Sequence, residues 1–325
     1  MRLHVDTDFA GDPDDACALA MVLGWPGVEL VGVTTTADPD GRRAGYAKAF
    51  LGLLGISDVP VAAGAGRSMS GHPMGDIPDH DRFWGTSASP PTPRKVEPSD
   101  AVDLIAGNLS SGAVVAAIGP YTNLALVHQA HPGSLTGMPV VTMGGWTHPF
   151  AAGYPAWGPA RDWNVQCDPE AALTLFGSDA DLTLVPCASA VSGVLRASVL
   201  PALRRTGRVG ELLARQSLAR ADEAGYAALG REHPALPEDL VNFHWDPVTC
   251  AVALGWSGAT TEVRELIPVR ERDGLRFEAQ SGGRRTRVVT SVDGPAFADT
   301  WLHAVQTAQT TGGKRTSPLG RRCMR

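Results

Sequence analysis

The segment V-D-T-D-F-A-G-D-P-D-D-A places Asp6, Asp8, Asp12, Asp14 and Asp15 within ten positions. Carboxylates so crowded repel one another unless a positive charge sits among them. An all-oxygen set of this kind selects a hard divalent cation such as Ca2+ or Mg2+. Asp6 and Asp8, two residues apart at a strand end, leave the strand on the same side. Asp14 and Asp15 open the following helix. A lone Asp14 would be accounted for as a helix cap favoured by the helix dipole; five crowded acids are not.

The elements that must hold this loop follow from the apolar pattern. Leu3–Val5, Val28–Thr35, Val59–Ala63, Ala113–Ile118, Val140–Met143 and Leu182–Val185 are rich in Val, Ile and Leu, bounded by Gly, Pro or Asp, and predict strands. Asp14–Leu23, Arg42–Leu54, Asp100–Leu109, Thr122–His128 and Pro169–Phe176 predict the helices between them. Such alternation gives an α/β fold, a mostly parallel sheet with helices on both faces and a Rossmann-like core. Ligands in such sheets bind beyond the carboxyl ends of the strands, so the residues just after each strand carry the most weight. Gly66–Pro98 and Gly144–Pro159 are long loops rich in Gly and Pro, of the kind that form lids. Beyond Pro201 a long helical segment runs towards Leu229, then comes a helix over Asp246–Leu254. A late β-hairpin over Glu262–Val269 and Arg284–Val292 and a last helix over Pro295–Gln309 follow. We expect one domain over residues 1–309 and a basic, disordered tail over 310–325.

Composition narrows the function class. With 43% hydrophobic and 19% charged residues the 325-residue chain is that of a folded globular protein. A net charge of −6 argues against a broad nucleic-acid-binding face. No apolar run reaches the length of a membrane span and no signal-peptide core follows Met1, so we expect a cytoplasmic protein. Five cysteines without a C-x-x-C pair argue against both a disulfide framework and a zinc site.

Further motifs follow the acidic loop in a fixed order. They are T-T-T-A-D (34–38), V-A-A-G-A (61–65), I-G-P-Y-T-N-L-A (118–125), V-V-T-M-G-G (140–145), D-W-N-V-Q-C-D-P-E-A-A (162–172) and H-W-D-P (244–247). Together they resemble the signature of the inosine–uridine-preferring nucleoside hydrolases over about the first 255 residues. Asp-x-Asp after a first strand also occurs in haloacid-dehalogenase-like phosphohydrolases, but those need a Lys and a late acidic pair, and this chain has Lys only at 48, 95 and 314.

The resemblance implies Ca2+-dependent hydrolysis of the N-glycosidic bond of a ribonucleoside, plain or modified, with a small-molecule nucleoside as partner and a homodimer or homotetramer as assembly. It implies calcium ligands at Asp8, Asp15, the Thr122 carbonyl and Asp246, with Asp8 also the base that activates the attacking water. Ribose hydroxyl contacts fall on Asp14, Asn164, Asp246 and Asp38, while Asp162 stands where the family has Glu. Met143 lies beside the 5′ end of the sugar, where the family's amide position falls near Ala156 or Trp157. His80, in D-H-D-R-F-W-G, matches a histidine near the base.

One departure concerns the leaving group. The family's purine-preferring members carry a His immediately before the late Asp; here that position is Trp245, with His244 one step earlier. We expect His244 to point into the pocket as the general acid, because nothing else nearby titrates in the useful range. Trp84, Trp146, Trp157, Trp163 and Trp245 could line a base pocket or simply anchor loops, since aromatic burial favours both. Asp168, before Pro169, is accounted for by helix capping alone. A protein that binds ribose and metal without catalysis would keep the same acids, and turnover assays separate the two.

Overall fold

The computed structural model describes residues 1–315. Its main sheet has nine strands: β1 (Arg2–Thr7), β2 (Glu29–Thr35), β3 (Val61–Ala63), β4 (Val114–Ala117), β5 (Pro139–Met143), β6 (Asp181–Val185), β9 (Ala259–Glu271), β10 (Gly274–Ala279) and β11 (Arg284–Val292). A separate antiparallel pair is formed by β7 (Val194–Arg196) and β8 (Leu240–Phe243). The order across the main sheet is β10-β9-β11-β6-β5-β4-β1-β2-β3, parallel from β3 through β6 to β11.

The six strands and five helices expected in the first 190 residues are present, with ends shifted by no more than two residues. Side chains alternate across the sheet as the strand period requires. In β4, Val115 and Ala117 join one apolar cluster, with the helices Pro98–Ser110, Thr122–Ala130 and Pro169–Gly177. Ala116 and Ile118 join the cluster on the opposite face, with the helices Asp14–Gly24, Trp245–Ala253 and Gly294–Arg315. Burial on both faces explains why the parallel strands are continuous apolar runs.

Three late features depart from the expected pattern. The hairpin is part of a three-stranded antiparallel unit with β9 in the middle, because Gly274–Ala279 pairs with the outer edge of β9 as a further strand. Its short apolar alternation lies between charged residues, which hid it. The helical stretch after Pro201 is three helices, Leu200–Arg204, Arg208–Ala224 and Tyr226–Glu232. The last two part at Gly225, which adopts φ +66°, a left-handed conformation that suits glycine at a helix end. The last helix continues to Arg315, six residues into the stretch expected as tail; the remainder of that tail lies outside the described residues.

The last helix clamps the first. Trp301 Nε1 donates to the Cys17 carbonyl at 3.1 Å. A Cβ on Gly24 would stand 1.8 Å from the Ala304 carbonyl oxygen, so only glycine permits this approach.

Candidate active site

Strand order reverses between β1 and β4, and the carboxyl ends of these strands open into a cavity of about 440 Å³. This is where an open parallel sheet places its ligands. A wider groove of about 730 Å³, by Asp181 and Arg287, holds an ordinary surface ion pair of 2.6 Å. Among the described residues, one group of three acids is arranged to hold a metal: Asp14, Asp15 and Asp246, with carboxylate oxygens within 4.8 Å of one another and all three buried. Asp14 and Asp15 lie in the first turn of their helix. Asp246 lies in the first turn of Trp245–Ala253, and its backbone N–H donates to Asp14 Oδ2 at 3.3 Å. Thr7 Oγ1 donates to Asp15 Oδ1.

Asp8 follows the end of β1 and lines the same cavity. Its Oδ2 accepts from the Trp163 indole at 3.2 Å, and Arg43 donates to its carbonyl at 2.5 Å. A Cβ on Gly119 would stand 2.6 Å from the Asp8 backbone N, so a bare backbone at the β4 end lets Asp8 sit where it does. Asn164 Nδ2 donates to the Ile118 and Met143 carbonyls, both at 3.1 Å, tying together the ends of β4 and β5. Asn164, Met143, Trp163 and Trp245 all line the cavity.

Burial and mutual repulsion set the electrostatics of the cluster. Burial, reinforced by the neighbouring acids, pushes the Asp14, Asp15 and Asp246 carboxyls well above the usual 3.8. Burial raises Asp8 as well, and the Arg43 guanidinium opposes it. Such carboxyls hold protons in the folded chain at pH values where the unfolded chain has lost them. Stability without metal therefore falls as pH climbs from 3.8 through the raised values. In chelator, thermal unfolding is expected to occur at least ~2 °C lower at about pH 8 than at about pH 5, with Ca2+ restoring more at the higher pH. A flat profile in chelator would show that the acids are ionised and compensated within the protein alone.

Two of the five loop acids are used elsewhere. Asp6 is buried in β1, accepts from Thr34 Oγ1 at 2.6 Å and Asn123 Nδ2 at 2.8 Å, and burial pushes its pKa up to about 7. Asp12 pairs with Arg220 at 2.8 Å at the cavity wall.

Several residues singled out in the sequence are placed away from the cavity. Asp38 accepts from the Arg43 and Ala44 N–H groups, both at 3.0 Å, and from Thr35 Oγ1 at 2.8 Å, so it caps the helix Arg42–Leu53. Asp162 accepts from Gly145 N at 2.6 Å and Trp146 N at 3.1 Å and caps Trp163–Cys167, with burial lifting its pKa to about 6. Asp168 caps Pro169–Gly177 and also accepts from Met69 N at 2.8 Å and Thr122 Oγ1 at 2.7 Å. Thr122 is not among the residues that line the cavity, and the β4-end residue that lines it is Ile118. His80 accompanies Tyr46, its Nδ1 2.9 Å from the phenol oxygen, and is absent from the lining.

His244 does not reach the cavity. Phe243 and Trp245 stack at 4.6 Å on one side of the chain, and the strand period sends His244 to the other. Its ring packs 4.4 Å from Trp301 and 6.1 Å from Phe297, fully buried, with neither ring nitrogen hydrogen-bonded. Burial drives its pKa down to about 3, so it stays neutral at physiological pH. The tryptophans divide: Trp163 and Trp245 line the cavity, whereas Trp84 stacks on Tyr46 and Trp157 packs edge-on to Phe150 and Phe243.

Ile118, Arg43, Arg161, Arg220, Tyr226 and Cys187 line the cavity without having been singled out. Ile118 is recoverable from the rule that weights residues just after a strand. Arg220 is 208 positions from Asp12, and no local pattern joins them.

The buried acid cluster at the switch point of this sheet could hold a metal ion, and comparison with known proteins gives the family of the chain. The family profile "Inosine-uridine preferring nucleoside hydrolase" matches residues 3–299, and the chain belongs to that family. The pyrimidine-specific ribonucleoside hydrolase RihA of Citrobacter koseri is 34% identical over 191 residues, 55% of this chain. The matched stretch spans 58% of that relative's length. RihA of Klebsiella pneumoniae is 30% identical over 223 residues, covering 65% of this chain and 67% of its own. The fold is similar to that of a purine-preferring ribonucleoside hydrolase from Gardnerella vaginalis, with TM-score 0.77 at 23% identity, covering 96% of this chain and all of that one. A plant nucleoside hydrolase gives TM-score 0.74 at 23% identity, covering 94% and 98%. No helix among the described residues is long and apolar enough to cross a membrane.

Proposed function

We propose that this protein hydrolyses the N-glycosidic bond of ribonucleosides with Ca2+, releasing free base and ribose. The observation that carries the reading is the convergence of Asp8 with the Asp14–Asp15–Asp246 triad on one cavity, within a chain of this family. Buried carboxylates that outnumber the guanidiniums beside them suit a hard divalent ion, with Asp8, Asp15, Asp246 and the Ile118 carbonyl as its ligands. When bound, such an ion lowers the pKa of water and orients vicinal hydroxyls.

The chain's own residues supply the rest. Asp8 takes the proton of the attacking water, whose oxygen forms the new bond to the anomeric carbon as the C–N bond breaks and the base departs with the electron pair. Asp14 and Asn164 hold ribose hydroxyls; the Nδ2 of Asn164 is committed to the strand ends, which leaves its Oδ1 to accept. The surrounding carboxylates favour the positive charge that grows on the sugar ring. Met143 closes the floor, and Trp163 and Trp245 offer indole faces to the base. A cytoplasmic location and a dimer or tetramer belong to the same reading.

Asp8→Asn is expected to lower kcat by about 10²–10⁴-fold while ribose affinity changes far less, measured by reducing-sugar assay and calorimetry with Ca2+. Absence of turnover on purine, pyrimidine and activated ribosides, with ribose still bound, would replace the hydrolase with a ribose-binding protein.

A further inference from the structure

Three guanidiniums line the cavity, and two of them are committed. Arg43 donates to the carbonyls of Ala37, Asp8, Phe9 and Asp76, and Arg220 pairs with Asp12. Arg161 is exposed, and among the described residues no carboxylate oxygen lies within 4.0 Å of its guanidinium. It is nevertheless held in place. Its guanidinium lies 4.5 Å over the Trp157 ring, which Phe150 and Phe243 brace edge-on at 5.3 and 5.7 Å. The turn that carries it is anchored by Gln166, which donates to the Pro159 carbonyl at 3.2 Å and to the Leu275 carbonyl at 2.8 Å.

A braced cation without a protein partner, facing a ligand cavity, is a preformed anion site. The acids opposite do not oppose it once loaded: six lining carboxylates face three guanidiniums, and a divalent cation brings the wall close to neutral. We propose that Arg161 selects ribonucleosides bearing a negative charge, a phosphate on the sugar or a carboxylate on the base. This rests on the ribonucleoside reading of the same cavity.

The test compares ligands that contain no scissile bond, on the full chain with Ca2+, by calorimetry. Ribose 5-phosphate against ribose reports an anion on the sugar; nicotinate against nicotinamide, with ribose present, reports one on the base. One of the two pairs is expected to show about 10- to 100-fold tighter binding of the anionic member, falling to within about 2-fold in Arg161→Gln. The pair that responds identifies the source of the charge. Equal binding within both pairs, or a preference that survives Arg161→Gln, overturns the inference even if neutral nucleosides are hydrolysed. A preference lost in Arg161→Gln, in a protein that turns over no riboside, supports the anion site and removes the hydrolase reading instead.

Discussion

p-Nitrophenyl riboside is expected to be cleaved with a kcat/KM at least about 10²-fold above that of inosine, because among the described residues no histidine lines the cavity to protonate a departing purine. The family resemblance puts Trp245 at the position of the purine-preferring members' histidine, and its indole N–H does not ionise usefully near neutral pH. Tyr226 lines the wall, but burial pushes its phenol up to about 12. His244 is enclosed by Trp301 and Phe297 and stays neutral at physiological pH. p-Nitrophenolate needs no proton to leave, so the missing acid affects inosine alone. His244→Ala should leave the ratio of the two substrates unchanged while lowering thermal stability, since it opens a hole beneath the last helix. An inosine-selective loss in that variant would place the imidazole in the cavity during turnover and refute the assignment.

Asp15→Ala is expected to weaken Ca2+ binding by at least about 10²-fold, read by calorimetry on the purified protein. Asp15 is buried in the triad and held by the Thr7 hydroxyl, so no neighbour can take over its position. Asp12→Ala is the contrasting variant: its carboxylate is paired with Arg220, and Ca2+ affinity should change by no more than about 3-fold. Wild-type affinity in Asp15→Ala would mean that the acids cap a helix and hold no metal.

What the sequence made legible, and what it did not, follows from the range of the interactions. The parallel strands are buried on both faces, so their apolar runs declare them, and the rule for strand ends led directly to the acidic loop. Capping also reads locally, as Asp168 before Pro169 illustrates. Asp38 and Asp162 look like ligands in a motif, yet their oxygens are taken by backbone N–H groups of adjacent turns, which only the folded path of the chain reveals. His244 was misplaced by one residue of strand alternation, a difference that reverses which face a side chain joins. Arg161 was invisible for a different reason. Its significance lies in the absence of a carboxylate near it and in the Trp157 ring beneath it, neither of which is a property of sequence spacing.

The clamp between the last helix and the first has a consequence for synthesis. Two of the three acids of the cluster ride on Asp14–Gly24, yet that helix is covered by Trp301 through a hydrogen bond spanning 284 positions. Until residue 301 has left the ribosome, the Cys17 carbonyl lacks its indole donor and the helix exposes to solvent the apolar side that the last helix covers. The nascent chain therefore carries its acidic loop without the cover that fixes it until that helix has emerged. Metal capture should be a late event, and chains arrested before that helix should depend on chaperones even when calcium is plentiful.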